Sequence, residues 1–383
     1  MESTFELTTV YVSNIFGIVL IGVLLAGNIW RFRERGTENA FLQLILFFAF
    51  CGCVIDPIAY TADGKPGSLA RIVVYGSNAL LYLTDMFGSF FWLLFLAEHL
   101  NARFSIAHRY ILGAALITGT IMVILNNFVP FIFDVSLENV YERKIGYWFY
   151  AAIDYGFLID SLILYFICKR KGGLFKSFPV WVYFIPLTLG TVIQSLYYGI
   201  SAISASLAVS IAGVFATLQS ERVFRDKLTG VFNYTYLEYL NREYAKKKNL
   251  HVTGLLIDIN SFQSINMNYG HAAGNKALIK MAKVLNRSIG ELGIIIRYSA
   301  DEFIAFVNTQ NEMAISMCIT RIRSGISEAN DFNSSYKLSV RICSQSYDTS
   351  KSMNDFIDSI SRSMTEEKTS YYTQSQFNKR QQQ

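Results

Sequence analysis

Three carboxylates stand where apolar runs break. Asp258 is next to last in HVTGLLIDI, His251 to Ile259, and Asp301 and Glu302 fill the polar turn of IIIRYSADEFIAFV, Ile294 to Val307. An Asp at a strand end is most often a turn residue whose side chain bonds nearby backbone. If the two runs are neighbouring strands, Asp258 and Asp301 meet at one end of a sheet. Two carboxylates so placed suit a hard divalent cation shared with phosphate oxygens. The spacing therefore allows metal-assisted phosphate chemistry alongside the plainer structural use.

The elements that must position these groups follow from periodicity. HVTGLLIDI is a short apolar run suited to a central strand. Gly274 to Ile289 puts Leu278, Met281, Ala282, Leu285 and Ile289 on one helical face. GIIIRYS and DEFIAFV pattern as a hairpin, Glu312 to Ile326 as a helix, KLSVRIC as a strand, and Met353 to Tyr372 as a helix. That order predicts an α+β, ferredoxin-like domain. Upstream, LQSERVFRDKLTGVFNYTYLEYL reads as a helix that breaks near Thr229-Gly230 and resumes. Residues 220–229 are thus expected to form a short helical connector, able to pass on a rotation as a Gly/Ser linker is not.

The first half of the chain has a different composition. Of the 383 residues, 52% are hydrophobic and only 16% charged, and the shortage of charge is concentrated before Glu221. Seven apolar runs, near 10–30, 41–60, 73–97, 110–130, 147–168, 179–199 and 203–219, meet or approach the roughly 20 residues a bilayer-spanning helix needs. The last is the shortest. Glu2 and Glu6, without a basic residue before Val10, argue against a signal peptide. The expected architecture is a seven-helix transmembrane bundle over 1–219, the connector, and a cytoplasmic domain over 230–383 with a polar C-terminal tail.

Basic residues set the orientation. Nine (Arg31, Arg33, Arg35, Arg103, Arg109, Lys169, Arg170, Lys171 and Lys176) follow the first, third and fifth runs, against four (Lys65, Arg71, Arg143 and Lys144) in the alternate loops. The N-terminus is therefore expected outside and the C-terminal domain in the cytoplasm. The net charge of +5 is mostly this asymmetry and needs no nucleic-acid partner. Five cysteines show neither zinc-type spacing nor a disulfide framework. Asp56, Asp85, Asp154 and Asp160 interrupt the apolar runs. Ionisable groups at membrane depth normally face the bundle interior and have a partner or ligand. They are candidates for a sensor pocket or ion path, or for plain interhelical hydrogen bonding. The short outer loops leave the bundle itself, or lipid, to read a small-molecule or lipid signal.

Four separated motifs carry a family resemblance: DKLTGVFN (Asp226 to Asn233), DINSFQSINMNYGHAAGNKAL (Asp258 to Leu278), RYSADEF (Arg297 to Phe303) and SMTEEK (Ser363 to Lys368). In order and spacing, roughly Asp226 to Tyr372 resembles the GGDEF family, the diguanylate cyclase domains that condense two GTP molecules into cyclic di-GMP. The resemblance implies a bacterial cell membrane location and Mg²⁺ or Mn²⁺ held by Asp258, Asp301 and the Ile259 carbonyl. It casts Asp301, Glu302 and Asp258 as catalytic and Asn266 as the reader of the guanine edge. Phe262, Asn275, Leu278, Ser299 and Ala300 would lie about the nucleotide, and Lys368 on its phosphates. It also implies a homodimer, one GTP per domain.

The departures are specific. Asn275 stands at a base-reading aspartate position, Gln263 at a lysine position, and Asn260 and Met267 at two further aspartate positions. Tyr372 stands for a phosphate-contacting arginine, and Arg341 for a glycine. GELG, Gly290 to Gly293, replaces the R-x-x-D product-inhibition motif. Ser299 and Ala300 replace the two signature glycines; a left-handed Ala300 would cost on the order of 1 kcal/mol. Each lost charged phosphate contact would cost roughly 1.5–3 kcal/mol. The leading reading is a membrane sensor controlling a degenerate, weakly nucleotide-binding domain. A working diguanylate cyclase, and a transporter-like bundle with a vestigial tail, are the alternatives.

Overall fold

The computed structural model describes residues 2–29, 32, 36–100, 102, 104–172, 178–196, 201–244, 251–331, 336–348 and 351–366. The chain divides into two compact units, whose boundary along the sequence falls between Leu218 and Gln219.

The first unit is built from α1 (Glu2–Gly27), α2 (Thr37–Ala62), α3 (Ser68–His99), α4 (Ile106–Asn126), α5 (Gly146–Gly172), α6 (Trp181–Leu196) and α7 (Ile203–Val223). Among the described residues, six of these helices are long and apolar enough to cross a membrane. The exception is α6, whose 16 described residues include Pro186. At 1.5 Å per residue these described residues account for about 24 Å of the roughly 30 Å apolar layer. The seventh run, expected to be the shortest, is long enough to span, since α7 continues to Val223. Trp92 and Tyr183 stack with ring centroids 3.6 Å apart in the core of this unit.

A small hairpin that the apolar pattern did not predict joins α4 to α5, with β1 (Phe133–Val135) antiparallel to β2 (Tyr141–Arg143). Asn126 explains it. This buried side chain accepts from the Phe131 and Ile132 amides at 2.8 and 2.6 Å and donates to the Phe133 carbonyl at 2.9 Å. Burying Asn126 thus satisfies backbone that would otherwise be orphaned at the end of the helix.

In the second unit, helix gives way after Val223, so only the first residues of the expected helical connector are helical. Residues 224–233 instead fold into a knot of turns. The Asp226 amide donates to the Val231 carbonyl at 2.8 Å, and the Asp226 carboxylate accepts from the Thr229 amide and hydroxyl at 2.9 and 2.6 Å. An Asp with Thr three residues on offers the backbone this alternative to helix. Then come α8 (Tyr234–Tyr244), β3 (Thr253–Ile259), α9 (Phe262–Tyr269), α10 (His271–Ile289), β4 (Gly293–Arg297), β5 (Glu302–Val307), α11 (Glu312–Asp331) and β6 (Val340–Ser346). A last helix, α12, covers 353–366.

The sheet order is β4-β5-β3-β6, all antiparallel, the βαββαβ arrangement expected of a ferredoxin-like fold. β3 is buried along all seven residues. Leu255 and Ile257 face α10 and α11, while Leu256 faces the opposite core with Tyr236, Ile304, Phe306 and Phe356. Burial on both faces is why Leu255, Leu256 and Ile257 are consecutive apolar residues and not an alternating pattern.

Candidate functional site

The register of β3 fixes the site. Asp258 pairs with Glu302 on one side and with Arg341 on the other. The Ile259 amide donates to the Asp301 carbonyl at 3.3 Å. Asp258, only 5% exposed, thus ends the central strand directly beside the Asp301-Glu302 corner. Directly opposed residues share a face with Cβ atoms about 5 Å apart. The pairing therefore sets Arg341, at the position where the resemblance expects glycine, next to Asp258 on the face that also carries Glu302.

The signature turn does not take the geometry its missing glycines would suggest. Among the described residues, only Asn139 and Ser261 are non-glycine residues with positive φ. Ser299 and Ala300 are not in that region, and the left-handed cost expected for Ala300 is absent. The reason is loop length. Four residues, 298–301, separate β4 from β5, and the turn closes by Tyr298 and Ser299 amides donating to the Glu302 carbonyl at 2.9 and 3.2 Å. Two- and three-residue hairpin loops demand a residue at positive φ, whereas a longer loop built around a type I turn does not.

Side chains brace the same turn. Arg297 donates through Nη2 to the Ala300 carbonyl at 2.7 Å and through Nη1 to the Asp226 carboxylate at 3.1 and 3.3 Å. Burial pushes the Asp226 carboxyl up, but Thr229 and the Arg297 guanidinium outweigh it and hold the group below its ordinary value. The Ser299 hydroxyl donates to Glu302 Oε2 at 2.9 Å. Neither the Arg297 link nor the Ser299 contact was anticipated from sequence. An arginine ending an otherwise apolar strand, and a serine three residues before a glutamate, were the available signals.

The α9–α10 corner completes the candidate nucleotide side. Gly270, at φ +81, separates the helices and explains its place in the motif. Gly274 is equally constrained, because a Cβ there would stand 2.0 Å from Asn266 Oδ1 and 3.3 Å from the Phe262 ring. Asn275, Gln263 and Met267 are exposed on this corner, whereas Leu278 is 2% exposed in the core and Phe262 packs against that core. Lys368 and Tyr372 lie outside the described residues. Gly274→Ala is expected to displace Asn266 and weaken guanine-nucleotide binding about tenfold or more, with little loss of helix. Titration with a fluorescent GTP analogue reads this directly, and unchanged affinity would remove Asn266 from the binding surface.

The donor chemistry fits a hard divalent cation. Asp258 and Asp301 offer carboxylate oxygens from adjoining backbone, with the Ile259 carbonyl at the same strand end. Among the described residues there is no cluster of three His, Cys, Asp or Glu, so phosphate or water oxygens would have to complete the shell.

The four aspartates of the membrane-type unit differ in their partners. Asp56 is bonded to Asn14 and Ser201. Asp160 Oδ2 is 2.8 Å from His108 Nε2. Asp85 and Asp154 stand on α3 and α5, and Asp154 Oδ1 is buried with no hydrogen-bond partner among the described residues.

A ferredoxin-like sheet with Asp258 next to last in its central strand, beside an acidic hairpin corner, is the arrangement that the family resemblance leads one to expect. Residues 223–373 match the family described as Diguanylate cyclase, GGDEF domain, and this part of the chain is a GGDEF domain. The chain is 33% identical over 101 residues to the probable diguanylate cyclase DgcF of Escherichia coli K12, covering 26% of this chain and 32% of that protein. It is 29% identical over 141 residues to diguanylate cyclase A of Treponema denticola, covering 36% and 38%. The matches thus span about a third of each relative. The coiled coil and GGDEF domain of DgcB from Caulobacter crescentus, solved with c-di-GMP, aligns over 41% of this chain and 88% of that one, at 18% identity and a TM-score of 0.35.

Proposed function

We propose that the chain is a membrane-bound signalling protein in cyclic di-GMP signalling. Its apolar helical unit, with α6 completing seven spans and the N-terminus outside, reads a small-molecule or lipid signal. It controls a cytoplasmic GGDEF domain that binds guanine nucleotide weakly and cyclises it slowly or not at all. As in the family, the domain works as a homodimer. The observation that carries this reading is the pairing of Asp258 with Arg341: a fixed cation stands where a metal carboxylate must attract a mobile one. Exposed Gln263 and Asn275 add to it, because neither supplies the charge the family uses to hold phosphate or base.

When bound, Mg²⁺ or Mn²⁺ would neutralise phosphate charge and favour ionisation of a ribose 3′-hydroxyl; Asp258, Asp301 and the Ile259 carbonyl are the groups to hold it. The Asn266 amide presents one acceptor and two donors to a guanine edge. Asn275 substitutes one acceptor and one donor group for the two acceptor oxygens of an aspartate, which matches only half of the guanine N1–H and N2–H₂ pair. The Ser299 hydroxyl orients Glu302 at the turn.

The second reading, an active diguanylate cyclase, has one observation in its favour: the Ser299-Ala300 turn forms without positive φ. One experiment separates the two. The full chain in detergent, given GTP and Mg²⁺, is expected to form no cyclic di-GMP above background, whereas sustained product establishes the active reading. Arg341→Gly is expected to lower the Mg²⁺ concentration needed for GTP binding about tenfold, the equivalent of roughly 1.4 kcal/mol. An unmoved Mg²⁺ midpoint would take Arg341 out of the account.

A further inference from the structure

Asn14, Asp56 and Ser201 come from distant parts of the chain and meet inside the membrane-type unit. They are 1%, 6% and 0% exposed. Asn14 Nδ2 donates to Asp56 Oδ2 at 3.3 Å, to Ser201 Oγ at 2.9 Å and to the Val10 carbonyl at 2.9 Å. The Ser201 hydroxyl donates to Asp56 Oδ2, and the Ser13 hydroxyl donates to the Ser201 carbonyl at 2.7 Å. The backbones here approach closely. A Cβ on Gly17 would stand 2.7 Å from Cys53 Sγ and 3.5 Å from Ala205 Cα, and one on Gly52 would stand 3.1 Å from Ser204 Oγ. Small residues at helix contacts permit such approach, and they hold the three polar groups in fixed relation.

Two features of this cluster call for something more than the hydrogen bonds it makes. The groups bonded to the Asp56 carboxylate are a hydroxyl and an amide, and neither carries positive charge. A carboxylate buried without a cation is costly in an apolar surrounding. Independently, Asn14 Oδ1 is buried with no hydrogen-bond partner among the described residues, although its own amide is wedged against Asp56 and Ser201.

We propose that Asn14, Asp56 and Ser201 form a binding site for a monovalent hard cation of the Na⁺ class. Rotating the Asn14 amide by half a turn exchanges Nδ2 and Oδ1. That places the orphaned oxygen where the structure has a nitrogen, 2.9 Å from Ser201 Oγ and 3.3 Å from Asp56 Oδ2. The Val10 carbonyl, 2.9 Å from the same position, then loses its Nδ2 donor, so four oxygens face one another without a proton donor from Asn14: carboxylate, hydroxyl, amide and backbone carbonyl. All-oxygen donors select hard cations over soft ones. Within the hydrogen-bonded cluster Asp56 is the one carboxylate, and one carboxylate balances a single positive charge. The site goes beyond the proposed nucleotide chemistry and does not depend on it.

The test uses the full chain in nanodiscs, with Na⁺ as probe and choline as its replacement at matched ionic strength. Because a ligand of the native state raises its stability, Na⁺ is expected to raise the midpoint of thermal unfolding. Asp56→Asn should abolish that increment. If Asp56→Asn fails to fold, Ser201→Ala is read instead through retention of ²²Na⁺ by the purified protein, with apparent affinity expected to fall about tenfold. Equal midpoints in Na⁺ and choline overturn the proposal, as does an increment that survives Asp56→Asn or retention unaffected by Ser201→Ala. A midpoint that follows pH but not Na⁺ also overturns it, in favour of a protonated carboxyl.

Discussion

Arg297→Met is expected to destabilise the β4–β5 hairpin and the turns at 224–233 together, by about 2 kcal/mol. Phe232 already ties the turns to β4 through backbone bonds with Ile295 and Arg297, and the Arg297 side chain adds the link to the hairpin tip: one guanidinium nitrogen holds the Asp226 carboxylate and another the Ala300 carbonyl. The pair is well covered, with side chains 17% and 21% exposed, so solvent screening does not erase it. For a domain of about this size the loss corresponds to roughly 6 °C in Tm. All four tryptophans precede residue 182, so hydrogen exchange of the β4 and β5 amides is the measurement that isolates this unit. The acid limb carries a second signature. The Asp226 carboxyl is held below its ordinary value. Its contribution is therefore complete above the unfolded value, about pH 3.9, and is lost as pH falls through the lower folded value. The Met variant should lose stability less steeply below about pH 4 than the native chain does. Unchanged exchange rates together with an unchanged acid limb would show that the bridge contributes nothing.

Gly293→Ala should be the more damaging change, by about 3 kcal/mol or more. A Cβ at this position would stand 2.0 Å from the Phe306 carbonyl oxygen and 3.0 Å from Val307 Cα. Both are backbone atoms of β5, which is itself bonded to β3, so relief requires moving the central ladder and not rotating a side chain. The strain falls on the hairpin that carries Asp301 and Glu302, so the proposed GTP binding would fall with stability. Gly290→Ala is the contrast: Gly290, at φ +46 and ψ −118, has no atom within 4 Å of its Cβ position, so only backbone strain, of about 1–3 kcal/mol, applies. Similar melting of the two variants would mean that the β4–β5 spacing relaxes more easily than the ladder implies.

Much of this was legible in the residues themselves. The apolar run of β3, the face of α10 and the β4–β5 hairpin follow from local periodicity and apolar content. So does the division into an apolar helical half and an α+β half, because the spacing of apolar side chains reports which surface must leave water. The carboxylates at strand ends were visible for the same reason: polar residues interrupt apolar runs where the chain turns.

The remainder depended on partners far apart in the chain. That Asp258 faces Arg341, 83 positions away by their numbers, is a matter of register, and register exists only once strands pair. The Arg297 link between Asp226 and Ala300, the orphaned Asn14 oxygen beside Asp56, and the hairpin set by Asn126 likewise arise from folding distant polar groups into contact. The Ser299-Ala300 turn marks the boundary between the two kinds of knowledge. Residue types alone made it look strained, since missing glycines suggest forbidden φ. The folded hairpin removes the strain by spreading the reversal over four residues, a choice made by the pairing of Arg297 with Phe303 and not by the turn residues themselves.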